Sequence, residues 1–170
     1  MGVVNVTPDS FSDGGDYYST EQAVMHAKQL IQEGADILDI GGESTRPGSK
    51  SVSVDEELNR AMPVVEKLLD QKVLISVDTS KPEVMRCAIE AGVSMINDVH
   101  ALCMPGAMDA VQEGDTLICL MHMQGDPGNM QQNPQYKNIV EEIINFFKQR
   151  IADVEAAGIL RERLIIDPGF

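Results

Sequence analysis

Asn, Asp and His close one short apolar run after another along this chain. The run from Met1 to Val6 passes into NVTPDSFSDGG, Asn5 to Gly15. That segment carries two carboxylates (Asp9, Asp13), three hydroxyls (Thr7, Ser10, Ser12) and one aromatic ring, Phe11. The run Ile37 to Ile40 leads into GGESTRPG, Gly41 to Gly48, with Ser44, Thr45, Arg46 and Pro47 in succession. Leu74 to Val77 leads into DTSKPE (Asp78 to Glu83), and Met95–Ile96 into NDVH (Asn97 to His100). Thr116 to Met121 leads into His122 and a long loop to Gln135, and Leu164 to Ile166 into DPGF (Asp167 to Phe170). A connecting βα loop needs only about 2–6 residues. The first loop, Thr7 to about Tyr18, exceeds that and reads as functional. A strand that ends in such a loop is where an α/β protein concentrates its hydrogen-bonding and reactive side chains.

The elements that must position these residues are signposted. Ser19 with Gln22 forms a capping-box pattern, with apolar Val24, Ala27, Leu30 and Ile31 behind it and Gly34 as terminator. Ser53 with Glu56 predicts a second helix carrying Leu58, Met62, Val65 and Leu69, which Pro63 is expected to kink or restart. Ser80 with Glu83 predicts a third, ending at Gly92, and Pro105 to Glu113 a short fourth. Tyr136 to Ala157 predicts the longest, with Ile139, Ile143, Phe147, Ile151 and Val154 as a core stripe.

Strand and helix thus alternate six times, which implies right-handed βαβ crossovers and a parallel α/β sheet. The strands are nearly all apolar, as strands covered on both faces should be. An open doubly wound sheet and a TIM barrel both fit. No G-x-G-x-x-G follows the first strand, and polar groups close every strand rather than those at one switch point, which favours the barrel. A TIM barrel runs to about 250 residues and eight strands. With 170 residues and six strands, the chain is expected to be an incomplete barrel, a single domain over 1–170 lacking its C-terminal strands.

Composition narrows the function classes. The chain is 43% hydrophobic but only 4% aromatic, so aliphatic side chains and Met must fill its core. A net charge of −14 argues against a nucleic-acid backbone or an anionic membrane surface as partner. No run reaches the ~18 apolar residues of a membrane span, and no signal peptide is visible. Cys87, Cys103 and Cys119 are odd in number and lack metal-ligand spacing, so they read as reduced thiols of a cytoplasmic protein.

The motifs NVTPDSFSDGG (5–15), GGESTRPG (41–48), SVDTSKPE (76–83), IND (96–98), LMHMQG (120–125) and DPGF (167–170) resemble, in order and over the whole chain, those of the dihydropteroate synthase family. That family joins 6-hydroxymethyl-7,8-dihydropterin diphosphate to 4-aminobenzoate, releases pyrophosphate and uses magnesium. The resemblance implies a pterin pocket lined by Asp78, Asn97 and Asp167, with Thr45 also on the pterin diphosphate. It implies a magnesium contact at Asn5 and mobile loops carrying Asp13 and Arg46 as catalytic residues. Phe11, Ser44 and Pro47 fall on the aminobenzoate side. It further implies a homodimer for the full-length enzyme and sensitivity to sulfonamides. The family's pocket lysine and Arg-x-His group, carried on its last two strands, have no counterpart here, and a short segment before the first strand is also missing.

A pterin edge presents ring N–H and amino donors side by side. Two carboxylates as acceptors, with an amide that both donates and accepts, suit that edge. Each of Asp78 and Asn97 is also a residue type that caps helices. Asp9 serves equally as a turn residue, and Arg46 as a solvated loop arginine. His122 reads as a buried hydrogen-bonded side chain or a ligand, and Asp39 and Asp98 read as structural. Magnesium would offset the repulsion between an acidic chain and a diphosphate. The rival readings are a corrinoid-dependent pterin-binding methyltransferase domain, which would have no use for the first two loops, and an inactive fragment of the synthase.

Overall fold

The computed structural model describes residues 1–7, 15–44, 51–125 and 134–169. Six strands make one parallel sheet: β1 (Gly2–Asn5), β2 (Ile37–Gly41), β3 (Leu74–Asp78), β4 (Met95–Asp98), β5 (Leu117–Met121) and β6 (Leu164–Asp167). Helices α1 (Gly15–Gln32), α2 (Val54–Leu68), α3 (Pro82–Ala91), α4 (Ala107–Val111) and α5 (Ile139–Ala156) alternate with them. The spatial order of the strands is their sequence order, each pairing in parallel with the one before it. A doubly wound sheet reverses its order at a switch point. This sheet never does, and α1 to α4 pack each against the next as one layer. The chain is a six-stranded part of a TIM-type α/β barrel.

Strand alternation divides the side chains cleanly. Facing the helices are Val4, Leu38, Ile40, Ile75, Val77, Ile96, Ile118 and Leu120, all buried. They meet Ala23, Val24 and Ala27 of α1, Ala61, Val64, Val65 and Leu68 of α2, and Val84, Met85 and Ala88 of α3 in one continuous core. The opposite face is polar toward the C-terminal ends of the strands and apolar toward their starts. There Val3 (53%), Leu74 (46%) and Ile165 (40%) remain exposed. These positions belong to the layer that fills the interior of a closed barrel.

Local signals set most element ends. Ser53 caps α2 by accepting from the Glu56 amide at 3.2 Å. Gly34 and Gly92, at φ +98° and +95°, take the left-handed conformation that ends α1 and α3. Two capping expectations are corrected. Helix α1 begins at Gly15, so Ser19 lies a turn inside it. Helix α3 is capped by Lys81, because Pro82 with its fixed φ takes the first helical position, and the Ser80 hydroxyl donates to Asp98 instead, at 2.7 Å. Pro63 does not restart α2, which runs unbroken past it. Helix α5 starts later than expected. Asn138 accepts from the Glu141 amide, and the Glu142 carboxylate turns back onto the amides of Lys137 and Asn138. Ile139 is consequently exposed rather than part of the core stripe. The start of β6 is fixed by Arg163. Its buried guanidinium donates to the carbonyls of Val111 (2.7 Å), Gln112 (3.0 Å) and Thr116 (3.0 Å), at and just past the end of α4.

The exposed apolar residues on β6 have a measurable consequence, since an open strand edge beside apolar side chains invites pairing with another chain. Prepared as 170 residues, the polypeptide is expected to self-associate in sedimentation velocity. Changing Ile165 and Ile166 together to Lys should shift it toward monomer. An unaltered distribution would exclude this edge as the contact.

Candidate active site

Parallel pairing places one residue from each strand in a row across the open face. Asn5 of β1 pairs with Gly41 of β2, Gly41 with Asp78 of β3, Asp78 with Asn97 of β4, and Asn97 with Cys119 of β5. Asp167 stands one pleat higher on β6, paired with Met121. The ladder continues past the strand ends: Val6 donates to the Gly41 carbonyl (2.8 Å), Thr79 to that of Asn97 (3.0 Å) and His122 to that of Asp167 (2.8 Å). The sheet itself therefore fixes the backbone beneath Asn5, Asp78, Asn97 and Asp167.

The centre of the row is hollow because Gly41 has no side chain. A Cβ there would lie 3.6 Å from Asn5 Oδ1 and 3.7 Å from Asp78 Cβ. One pleat below lies Asp39, at 5% exposure. Its carboxylate accepts from Ser76 Oγ at 2.6 Å and from Asn97 Nδ2 at 2.8 Å. Burial holds the Asp39 carboxyl above its ordinary range despite these two bonds. One N–H of the Asn97 amide is thus spent on Asp39, which orients the amide and leaves its carbonyl oxygen and second N–H to other partners.

Asp78 is partly buried, and among the described residues none donates a hydrogen bond to it. Desolvation, and then the neighbouring carboxylates of Asp39, Asp98, Glu57 and Glu43, push it well above the usual carboxylate value. Asp167 is exposed and closes its own turn, with Oδ1 accepting from the Gly169 amide at 2.9 Å. Gly169 sits at φ +74°, and a Cβ there would fall 2.1 Å from the His122 carbonyl oxygen, so the turn requires glycine. Cys119 lies between these groups. Its thiol is pushed up to about 11 by burial and then by the carboxylates of Asp167, Asp39 and Asp78. The arrangement is a concave row of acceptors, able to take a neutral, donor-rich ring edge and hostile to anions.

Ser44 lies partly buried just beyond β2. Phe11, Asp13, Thr45, Arg46 and Pro47 lie outside the described residues. His122 is 8% exposed and packed among aromatic rings: its ring meets Phe146 edge-on at 5.0 Å, with Tyr136 and Phe147 at 6.0 and 6.5 Å. Asp98 is structural, accepting from Ser80 and from the amides of His100 and Leu102. Cys87, Cys103 and Cys119 are free thiols. Sequence reasoning missed that Asp39 orients Asn97. The available signal was a carboxylate in the middle of an apolar strand, with the same alternation as the Gly41 position. Among the described residues no three or more His, Cys, Asp or Glu side chains form a metal cluster. Asn5 supplies a single amide oxygen, a donor set that fits only an ion otherwise held by water and ligand oxygens, as magnesium commonly is.

The pterin binding enzyme family profile matches residues 1–170. The chain belongs to that family. It is 53% identical to the dihydropteroate synthase of Escherichia coli (strain K12) over 171 residues, covering all of this chain and 61% of that protein. A Yersinia pestis dihydropteroate synthase structure in complex with a sulfonamide drug superposes with a TM-score of 0.92 at 49% identity, covering 62% of that chain. A Xanthomonas albilineans dihydropteroate synthase structure in complex with 7,8-dihydropteroate superposes at 0.85 with 50% identity, covering 60% of that chain. This family member thus spans about three fifths of the length of the relatives it matches. Among its described residues no helix is long and apolar enough to cross a membrane.

The raised carboxyl of Asp78 makes a signed prediction. A folded acid with a raised value binds more protons than the unfolded chain above its ordinary value of 3.8. Stability is therefore lost as pH rises from there through the folded value. Asp78→Asn in the intact protein removes that loss. Its unfolding midpoint should exceed the parent's at pH 7, and the gain should shrink toward pH 4. A variant less stable than the parent at pH 7 would contradict the electrostatic account.

Proposed function

We propose that the intact protein is a dihydropteroate synthase that condenses 6-hydroxymethyl-7,8-dihydropterin diphosphate with 4-aminobenzoate, giving 7,8-dihydropteroate and pyrophosphate. The observation that carries this reading is the acceptor row of Asp78, Asn97 and Asp167, in a chain half identical to a protein whose structure contains 7,8-dihydropteroate. We assign the pterin edge to those three residues, with Asp39 holding the Asn97 amide in register. The chain is taken as one pterin-binding domain, in a cytoplasmic protein that forms a homodimer when full length and has no nucleic-acid or membrane partner.

The amine nitrogen attacks the CH₂ carbon, the bond from that carbon to the diphosphate oxygen breaks, and the amine gives up a proton. Dihydropterin delocalises positive charge at the CH₂, so departure of the leaving group can run ahead of attack. A neutral arylamine needs no strong base. The work of the protein is then positioning and charge stabilisation. Acceptors on the pterin edge gain strength as the ring becomes electron-poor. Asp13 orients the amine or orders the closed loops, and Arg46 with Thr45 meets the diphosphate. Phe11, Ser44 and Pro47 flank the aminobenzoate. Magnesium would be held by the Asn5 oxygen together with the substrate's diphosphate, and would offset the charge of the leaving group.

Two measurements test this. Pyrophosphate release by the intact protein should depend on 4-aminobenzoate and be inhibited competitively against it by a sulfonamide. Release independent of the amine would sink the assignment. Asp167→Asn, which turns an acceptor into a donor against a donor edge, should weaken pterin binding by about 1–3 kcal/mol in calorimetry. Asp13→Asn should chiefly lower turnover, as loop residues acting at closure do. Equal losses of pterin affinity in both variants would refute the division of roles.

A further inference from the structure

Outside the acceptor row, one ionic cluster is unexplained by local structure. Lys81 is the N-cap of α3. That position favours Ser, Thr, Asp or Asn, and the positive end of a helix disfavours a cation. The Lys81 ammonium nevertheless turns back to donate to both Glu43 and Glu57. Glu57 is 1% exposed, in the first turn of α2. Glu43 stands just past β2, and its other carboxylate oxygen accepts from the amide of Val52 at 3.2 Å, on the far side of the β2–α2 loop. The same stem is held twice more. Arg60 of α2 donates to the Gly42 carbonyl at 3.1 Å. Gly42 itself lies so close to α2 that a Cβ would fall 2.8 Å from the Glu57 carbonyl oxygen.

We infer that Lys81 is a positioning residue: through Glu43 and Glu57 it pins both ends of the β2–α2 loop to the β3–α3 turn that directly follows Asp78. The inference rests on the synthase reading, in which that loop carries Ser44, Thr45, Arg46 and Pro47 to the substrates. A buried carboxylate left without its cation would be destabilising whatever the loop does. The test must therefore separate charge balance from positioning.

In the intact protein, Lys81→Met, Lys81→Arg and the double variant Lys81→Met/Glu57→Met are compared by unfolding midpoint, hydrogen exchange at the Val52 amide, and steady-state kinetics. Lys81→Met is expected to lower the midpoint, speed Val52 exchange relative to β3 and β4 amides, and lower kcat/KM for 4-aminobenzoate. The loss should be about ten- to a hundredfold, the scale of a misplacement of roughly 1 Å. Affinity for the pterin diphosphate, which Thr45 and Arg46 of that loop meet in the synthase reading, should fall too, while affinity for 6-hydroxymethyl-7,8-dihydropterin, which lacks the diphosphate, should stay within about twofold. The double variant removes the uncompensated charge. It should recover the midpoint but neither Val52 protection nor kcat/KM, whereas Lys81→Arg should recover all three. If Lys81→Met does not fold, the double variant carries the comparison. Full recovery of protection and kcat/KM in the double variant, or unaltered Val52 exchange without Lys81, would overturn the inference. A parent protein that lacks amine-dependent turnover would instead refute the synthase reading, and Val52 exchange would still decide whether Lys81 pins the loop.

Discussion

The site hangs on one buried carboxylate. Asp39 lies inside the sheet on β2, yet it reaches Ser76 on β3 and, diagonally across that strand, Asn97 on β4. Taking a carboxylate out of water costs several kcal/mol, and two short hydrogen bonds to it recover part of that. The return is order: three strands are cross-linked beneath the surface, and the amide that faces the opening is held in one orientation. Asp78 then needs no donor among the described residues, because its neighbours are set by the sheet and not by Asp78 itself. The result is a crowd of acceptors at one end of the strands, each raised or restrained by the others.

The same sheet is apolar on its helical side except for the buried Asp98, and mixed on the other. That asymmetry explains what was readable in advance. The strands and their order followed from apolar runs ending in Asn, Asp or His, because burial on the helix side demands continuous hydrophobicity. The functional ends were legible because a polar residue at the last position of such a run has no packing reason to be there. Asp78, Asn97 and Asp167 are three such ends, and it was the motif resemblance that assigned them to a pterin edge.

What the linear pattern concealed was pairing between distant side chains. Ser80 looked like a cap and is a donor to Asp98, since Pro82 claims the first helical position. Asp167 looked like an open acceptor, and half of it is spent on the Gly169 turn. Asp39 looked structural and is the partner of Asn97. Lys81 carried no signal at all, because its partners lie 38 and 24 residues away and only the folded stem brings them together. Asp13 and Arg46 were named from motif resemblance alone and lie outside the described residues.

Pairing every strand with its predecessor also gives the molecule a direction in time. As the chain leaves the ribosome, each strand after β1 finds its template already made in the strand before it. The growing edge is always the youngest strand. A chaperone therefore meets the same moving edge throughout synthesis, and β6, which carries the last acceptor of the row, is the edge at residue 167.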